Sequence, residues 1–172
     1  MKTALVTGSS RGIGRAIALR LAKDGFKVLI HCAGNLERAQ QVQIAIEQSG
    51  GHCQILTADL TDPAGAAQLA QKAGSVDVLV LNASVQYKTP WKDISLQACY
   101  EQLNCNFVSS MVLIQQLVPH MQQQKWGRVV AIGSVQEAKP HPDMLVYSAT
   151  KAAQTMMVKS LAVQVAKDGI TI

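Results

Sequence analysis

Apolar residues along this chain fall in short blocks that alternate with stretches of helical period. Thr3–Thr7 reads as a first strand, and Ile13–Asp24 as a helix closed by Gly25. Lys27–Cys32 reads as a second strand, followed by a Gln-rich helix from about Leu36 to Ser49. His52–Ala58 makes a third strand that ends at Asp59. Pro63 is expected to open a helix to about Ala73, because proline favours the first helical position. Val76–Leu81 reads as a fourth strand, and one long helical stretch runs from about Leu96 to Gln124, with Pro119 near its end. Arg128–Ile132 is a fifth strand, a helix spans about Met144 to Lys167, and Gly169-Ile170-Thr171-Ile172 starts a sixth strand.

Strand–helix alternation with near-continuous apolar strands predicts a parallel sheet covered on both faces. Right-handed crossovers make it a doubly wound, Rossmann-like α/β sheet of about six strands, with ligands at the carboxyl ends of the strands. No repeat, low-complexity tract or linker divides the chain, so residues 1–172 read as a single dinucleotide-binding and catalytic domain. The pattern breaks off within its sixth strand, so the chain is expected to be truncated before a last strand.

Composition narrows the function. The 172 residues are 48% apolar, enough for a real core, and no apolar block reaches the roughly 18 residues of a membrane span. The N-terminus reaches Gly8 too soon for a signal-peptide apolar region. A cytoplasmic protein with no membrane partner is expected. The net charge of +5 favours anionic ligands such as phosphates. There is no basic run and aromatics are only 4%, which argues against nucleic acid. Cys32, Cys53, Cys99 and Cys105 lack the spacing of zinc ligands and read as free thiols. His31, His52, His120 and His141 are scattered and read as structural or exposed.

Two segments carry chemistry. Thr7-Gly8-Ser9-Ser10-Arg11-Gly12-Ile13-Gly14 follows the first strand and opens the first helix, the context that a dinucleotide fingerprint requires. Gly8 permits a tight turn, Gly12 lets a pyrophosphate approach the backbone, and Gly14 lets the helix pack on the sheet. The helix N-terminus adds free N–H groups and a positive dipole end. The spacing is Gly-x-x-x-Gly-x-Gly, not Gly-x-Gly-x-x-Gly. Asp59 can cap the helix after Pro63, in competition with Asp62, or accept a hydrogen bond from an adenine amino group. The second segment is Tyr147-Ser148-Ala149-Thr150-Lys151, with Ser134 upstream. Residues i and i+4 share a helix face, and an ammonium beside a phenol favours the phenolate, as a general acid/base at neutral pH needs.

The glycine turn, Asp59, Asn82-Ala83, Asn106, Ser134, Tyr147 and Lys151 together resemble the short-chain dehydrogenase/reductase family, in type and in order, from Thr3 to Ile172. Within it, the run from Thr7 to Ala18 is most similar to the bacterial 3-oxoacyl-acyl-carrier-protein reductase-like group. The resemblance implies an oxidoreductase that moves a hydride between a nicotinamide and a ketone or secondary alcohol. It implies Tyr147 as general acid, Ser134 orienting the substrate oxygen, and Lys151 on the nicotinamide ribose. Asn106 would hold a water that links Lys151 to solvent. Cofactor contacts would come from Gly8, Ser10, Arg11, Gly12, Ile13, Gly14, Asp59, Leu60, Asn82, Ala83, Tyr147 and Lys151, with no metal. A homodimer or homotetramer through the two long helices is implied as well.

The second strand ends without a carboxylate that would repel a 2′-phosphate, and Arg11 can pair with one. NADP(H) is therefore expected rather than NAD(H). Two departures stand out. Leu81-Asn82-Ala83-Ser84 replaces the usual Asn-Asn-Ala-Gly, and the segment that usually shapes the substrate pocket is missing. A chain that ended at Ile172 is expected to be nearly inactive. The alternative reading is a nucleotide-binding protein with little catalysis, regulatory or vestigial; a partner-binding scaffold is a third.

Overall fold

Each apolar run marked in the sequence becomes a strand in the structure, a computed structural model that describes residues 1–172. The strands are β1 (Thr3–Val6), β2 (Lys27–Cys32), β3 (His52–Thr57), β4 (Val78–Leu81), β5 (Gly127–Ala131) and β6 (Ile170–Thr171). They form one sheet in the order β3-β2-β1-β4-β5-β6, and every pairing is parallel. The helices are α1 (Gly12–Lys23), α2 (Leu36–Gln48), α3 (Gly65–Ala73), α4 (Leu96–Leu103), α5 (Ser109–Gln123) and α6 (Leu145–Val165). The chain winds from β1 outward to β3, then returns to place β4 on the other side of β1. That reversal opens a crevice at the carboxyl ends of β1 and β4.

Alternation along the strands divides the core. Leu5, Leu29, Leu79 and Val129 point to one face and pack with Leu69 of α3 and Leu113, Leu117 and Met121 of α5. Ala4, Val6, Val28, Ile30, Val78 and Val80 point to the other and pack with Ala18 of α1 and Val42 and Ile46 of α2. Each large side chain fully buried this way contributes about 1.5–3 kcal/mol. The second face is not covered to its end: Val130, paired with Val80 in register, is 46% exposed.

The structure corrects two boundaries. α3 begins at Gly65, not at Pro63. Asp59 Oδ1 accepts the Thr61 N–H (2.9 Å) and Asp62 Oδ1 the Ala64 N–H (2.7 Å), so Pro63 sits inside a local turn. Short acidic side chains compete with the helix for backbone donors in this way. The expected long helix from 96 to 124 is broken into α4 and α5 by a π-turn at Asn104–Val108. There the Ser109 N–H reaches back to the Asn104 carbonyl, one residue further than in an α-helix. Pro119 lies within α5 without ending it. The last strand is short, Ile170–Thr171, and follows Gly169 in left-handed conformation.

Candidate functional site

The glycine turn is braced from below before any ligand is considered. Thr7 Oγ1 accepts the N–H groups of Asn82 and Ala83, each at 2.9 Å, and donates to the Val80 carbonyl at 3.2 Å. Asn82 Nδ2 donates to the carbonyls of Thr7 (2.8 Å) and Gly8 (3.2 Å). The turn after β1 is thus locked to the end of β4. Leu81 fills the core at 2% exposure, so bracing rests on Asn82 and Thr7. A Cβ on Gly14 would lie 2.5 Å from both Asn82 Nδ2 and the Gly8 carbonyl, so only glycine lets α1 settle here. Gly12 has φ +55 and stands open, with main chain bare toward the crevice. No acidic residue occupies the first turn of α1, so its positive end is not neutralised.

His31, at the end of β2, completes the brace. Its Nδ1 accepts the Gly8 N–H at 3.0 Å, which puts the ring proton on Nε2, 3.0 Å from the Ala58 carbonyl. Burial lowers its pKa, partly opposed by the Ala58 carbonyl and by the charge of Asp59. The neutral imidazole therefore ties β1, β2 and β3 together at the crevice. Its burial matches the structural role read from the sequence, but its contact with Gly8 was not foreseen; the only sequence signal was a histidine at a strand end that faces the switch point.

The crevice holds about 600 Å³. Gly8, Ser10, Arg11, Gly12 and Ile13 line it from the turn, Asp59 and Leu60 from the end of β3, and Asn82 and Ala83 from the end of β4. Gly14 lies beneath it. Neither Asp59 nor Asp62 caps α3: Asp59 Oδ1 closes its own turn, accepting the Thr61 hydroxyl at 2.7 Å as well as its N–H, while Oδ2 has no protein partner. Ser84 adds its side chain to the wall, as does Val85. Sequence reasoning missed Arg38, whose N–H is held by the α2 cap Asn35 and whose side chain reaches the same wall as Arg11. Bare glycine backbone, a helix N-terminus and two arginines, with no carboxylate on the β2 side, fit a phosphorylated dinucleotide.

The other four residues sit beyond the crevice. Asn106, fully buried in the π-turn, accepts the Val85 N–H at 2.8 Å and donates to the Val85 carbonyl (2.9 Å) and Thr150 Oγ1 (3.0 Å). Both of its Nδ2 hydrogens are engaged, so its side chain is a strut from the crevice wall to α6. Ser134 caps the turn after β5: its Oγ accepts the Gln136 N–H (3.2 Å) and its N–H donates to Glu137 Oε1 (2.7 Å). The Ser134 hydroxyl keeps its own proton to donate. Tyr147 and Lys151 lie on successive turns of α6, 9% and 2% exposed. Lys151 Nζ donates to the Ile132 carbonyl and to Gln154 Oε1, not to Tyr147. Burial lowers the Lys151 pKa, while Glu137 and Cys105 oppose that shift. The predicted cofactor residues other than Gly14, Tyr147 and Lys151 line one crevice, and Asn106 ties its wall at Val85 to Thr150 on the helix that carries Tyr147 and Lys151.

Known proteins resemble the chain along nearly its whole length. The family profile of short chain dehydrogenases matches residues 2–172. The chain is 35% identical over 175 residues to a 3-oxoacyl-acyl-carrier-protein reductase of Staphylococcus aureus, an alignment that covers 99% of this chain and 71% of that one. It is 32% identical over 176 residues to a D-beta-hydroxybutyrate dehydrogenase of Rhizobium meliloti, covering 99% of this chain and 68% of that one. Among solved structures, a 3-oxoacyl (acyl-carrier-protein) reductase of Agrobacterium tumefaciens with NADP bound superposes with a TM-score of 0.94 at 40% identity. That superposition covers 98% of this chain and 66% of the Agrobacterium chain. No helix here is long and apolar enough to cross a membrane.

Proposed function

The chain belongs to the short-chain dehydrogenase family of oxidoreductases, and on that premise we propose that it interconverts a ketone and a secondary alcohol with NADP(H). The observation that carries this reading is the single crevice at the switch point, with Arg11 and Arg38 on its wall and Asn106 bridging it to the helix of Tyr147 and Lys151. The NADP-bound Agrobacterium relative supports the choice of cofactor. The cofactor supplies the hydride when bound. Gly12 and the N-terminus of α1 would hold its pyrophosphate, and Arg11 with Arg38 its 2′-phosphate. The Oδ2 of Asp59 would accept the adenine amino group.

In the reducing direction, the carbonyl carbon gains a hydride while its oxygen takes the phenolic proton of Tyr147. Such general acid catalysis is worth about 10²–10⁴-fold. The free proton of Ser134 Oγ would donate to the same oxygen as charge develops on it. Lys151 would hold the nicotinamide ribose and keep a positive charge one helical turn from the phenol. Proton return to Tyr147 from solvent closes the cycle. Exposed Leu96 and Tyr100 on α4 and Met111 on α5 support a homo-oligomer, which light scattering checks; a strict monomer counts against it.

The test is consumption of NADPH with a panel of ketones that includes a 3-oxoacyl thioester. Tyr147→Phe should lower turnover by about 10²–10⁴-fold, while NADPH, followed by fluorescence titration, still binds. A protein that binds NADPH tightly but oxidises it with no ketone in the panel would return the reading to a nucleotide-binding protein.

A further inference from the structure

Lys151 has a buried side-chain partner that the proposed chemistry does not use. Gln154, 1% exposed and on the same helix, presents Oε1 to the ammonium at 2.5 Å. Its Nε2 donates to Ser110 Oγ of α5 at 2.8 Å, and Ser110 is 3% exposed. Neither residue lines the crevice. A side-chain amide can offer either its oxygen or its NH2, and only the oxygen suits an ammonium. Ser110, by accepting from Nε2, fixes which end faces Lys151. A polar side chain buried at this depth is costly unless both ends are bonded, and here both are.

We propose that Gln154, oriented by Ser110, is a positioning residue for Lys151: it holds the ammonium charged and drawn toward the Ile132 carbonyl. Ile132 supplies the only other acceptor, and it is main chain, so Gln154 is the one partner that sequence can tune. The titratable groups around Lys151 are Glu137 in the turn after β5, Cys105 in the π-turn, and Tyr147 on α6 itself. Burial makes the charged lysine expensive, and each acceptor offsets part of that cost. A charge-assisted bond from a carboxamide, unlike one from a carboxylate, stabilises the ammonium without cancelling its charge. The positive charge beside Tyr147 is therefore kept.

The role of this charge in turnover rests on the reading of Lys151 given above, but the position and charge of Lys151 can be measured without cofactor. Lysine side-chain NMR titration of the unliganded protein follows the ammonium, with Lys151→Met identifying its signal. Gln154→Leu should make Lys151 about ten- to a hundredfold more acidic, the size of one lost charge-assisted hydrogen bond. Gln154→Glu, which keeps the acceptor, should restore or exceed the wild-type midpoint. Ser110→Ala, which leaves Gln154 in place, should give a smaller change of the same sign, and it stands in if Gln154→Leu does not fold. A folded Gln154→Leu variant, or Ser110→Ala in its stead, that titrates with the wild type overturns the proposal. Failure of ketone reduction with the expected titration change would sink the functional reading and leave this one standing.

Discussion

At the β1–β4 end of the site, the side chains of Thr7, His31 and Asn82 bind main chain at the ends of three strands, β1, β3 and β4, and the apolar residues beneath are buried. At the β5–α6 end, Val135 follows Ser134 and Leu145 precedes Tyr147 by two residues, and these two apolar side chains are 70% and 54% exposed. The first end is built to be rigid before a ligand arrives, so little ordering cost remains to be met on binding. The second holds its reactive side chains on a braced helix but leaves apolar surface around them. Cofactor affinity and turnover should therefore respond to different substitutions, and each prediction below tests that separation.

The largest effect is expected from Gly14→Ala, whose Cβ would collide with Asn82 and the Gly8 carbonyl. Stability in urea should fall toward the upper end of about 1–3 kcal/mol, and NADPH binding should be lost with it. If the variant binds NADPH normally, the braced crevice is not what the ligand needs. Arg11→Ala comes next. Losing one charge-assisted contact to a phosphate should weaken NADPH by about 1.5–3 kcal/mol and leave NADH as it was. Equal weakening of both cofactors would place Arg11 away from the 2′-phosphate. Arg38→Ala should act in the same direction, because both arginines line the same wall.

A third effect follows from His31. Its folded pKa lies below the unfolded one, so the unfolded chain binds the proton first as pH falls. The stability due to neutral His31 is fully present above the ordinary histidine value and is lost as pH drops through the window down to the lowered folded pKa. The slope cannot exceed about 1.4 kcal/mol per pH unit for one proton. Urea titrations at several pH values should show the gap between wild type and His31→Asn narrowing toward acid; parallel curves would mean the ring is not held neutral. The smallest effect belongs to Asp168, outside both ends of the site. Its hydrogen bonds to Lys125, first, and Gln122 hold the carboxyl below its ordinary value. That stability is present above the ordinary carboxylate pKa and is lost as pH falls through the lowered one. Asp168→Asn should therefore be slightly less stable at neutral pH and no different in strong acid.

The strands and the glycine turn were legible because both are written in local pattern: apolar alternation for β1 to β5, and a glycine set that only a strand–turn–helix can use. The carboxylate-free end of β2 could be read for the same reason. What escaped was non-local. Nothing near Thr7 announces that its hydroxyl will gather the Asn82 and Ala83 amides from far along the chain. Gln154 looked like one more polar residue on a helix, since its meaning depends on Ser110 from α5. Pro63 gave a true signal of a helix start, but two aspartates closed a turn first and moved that start to Gly65. Asn106 is an unfavourable residue inside a helix. The bond that repays this, to Thr150 on α6, needs the fold.

The break at Asn104–Val108 works as a phase shifter. A regular helix advances about 100° per residue, so one extra residue in a single turn rotates everything after it by that amount relative to everything before. α4 can then face α6 while α5 faces α3, although the two helices run on without a loop. Residue count in this turn is consequently a stricter requirement than residue type. Removing any one of the five would restore an unbroken helix and swing Leu113 and Leu117 off the sheet, or Asn106 off Val85. A frame-preserving deletion of one codon here should therefore cost more stability than a conservative replacement along α4 or α5.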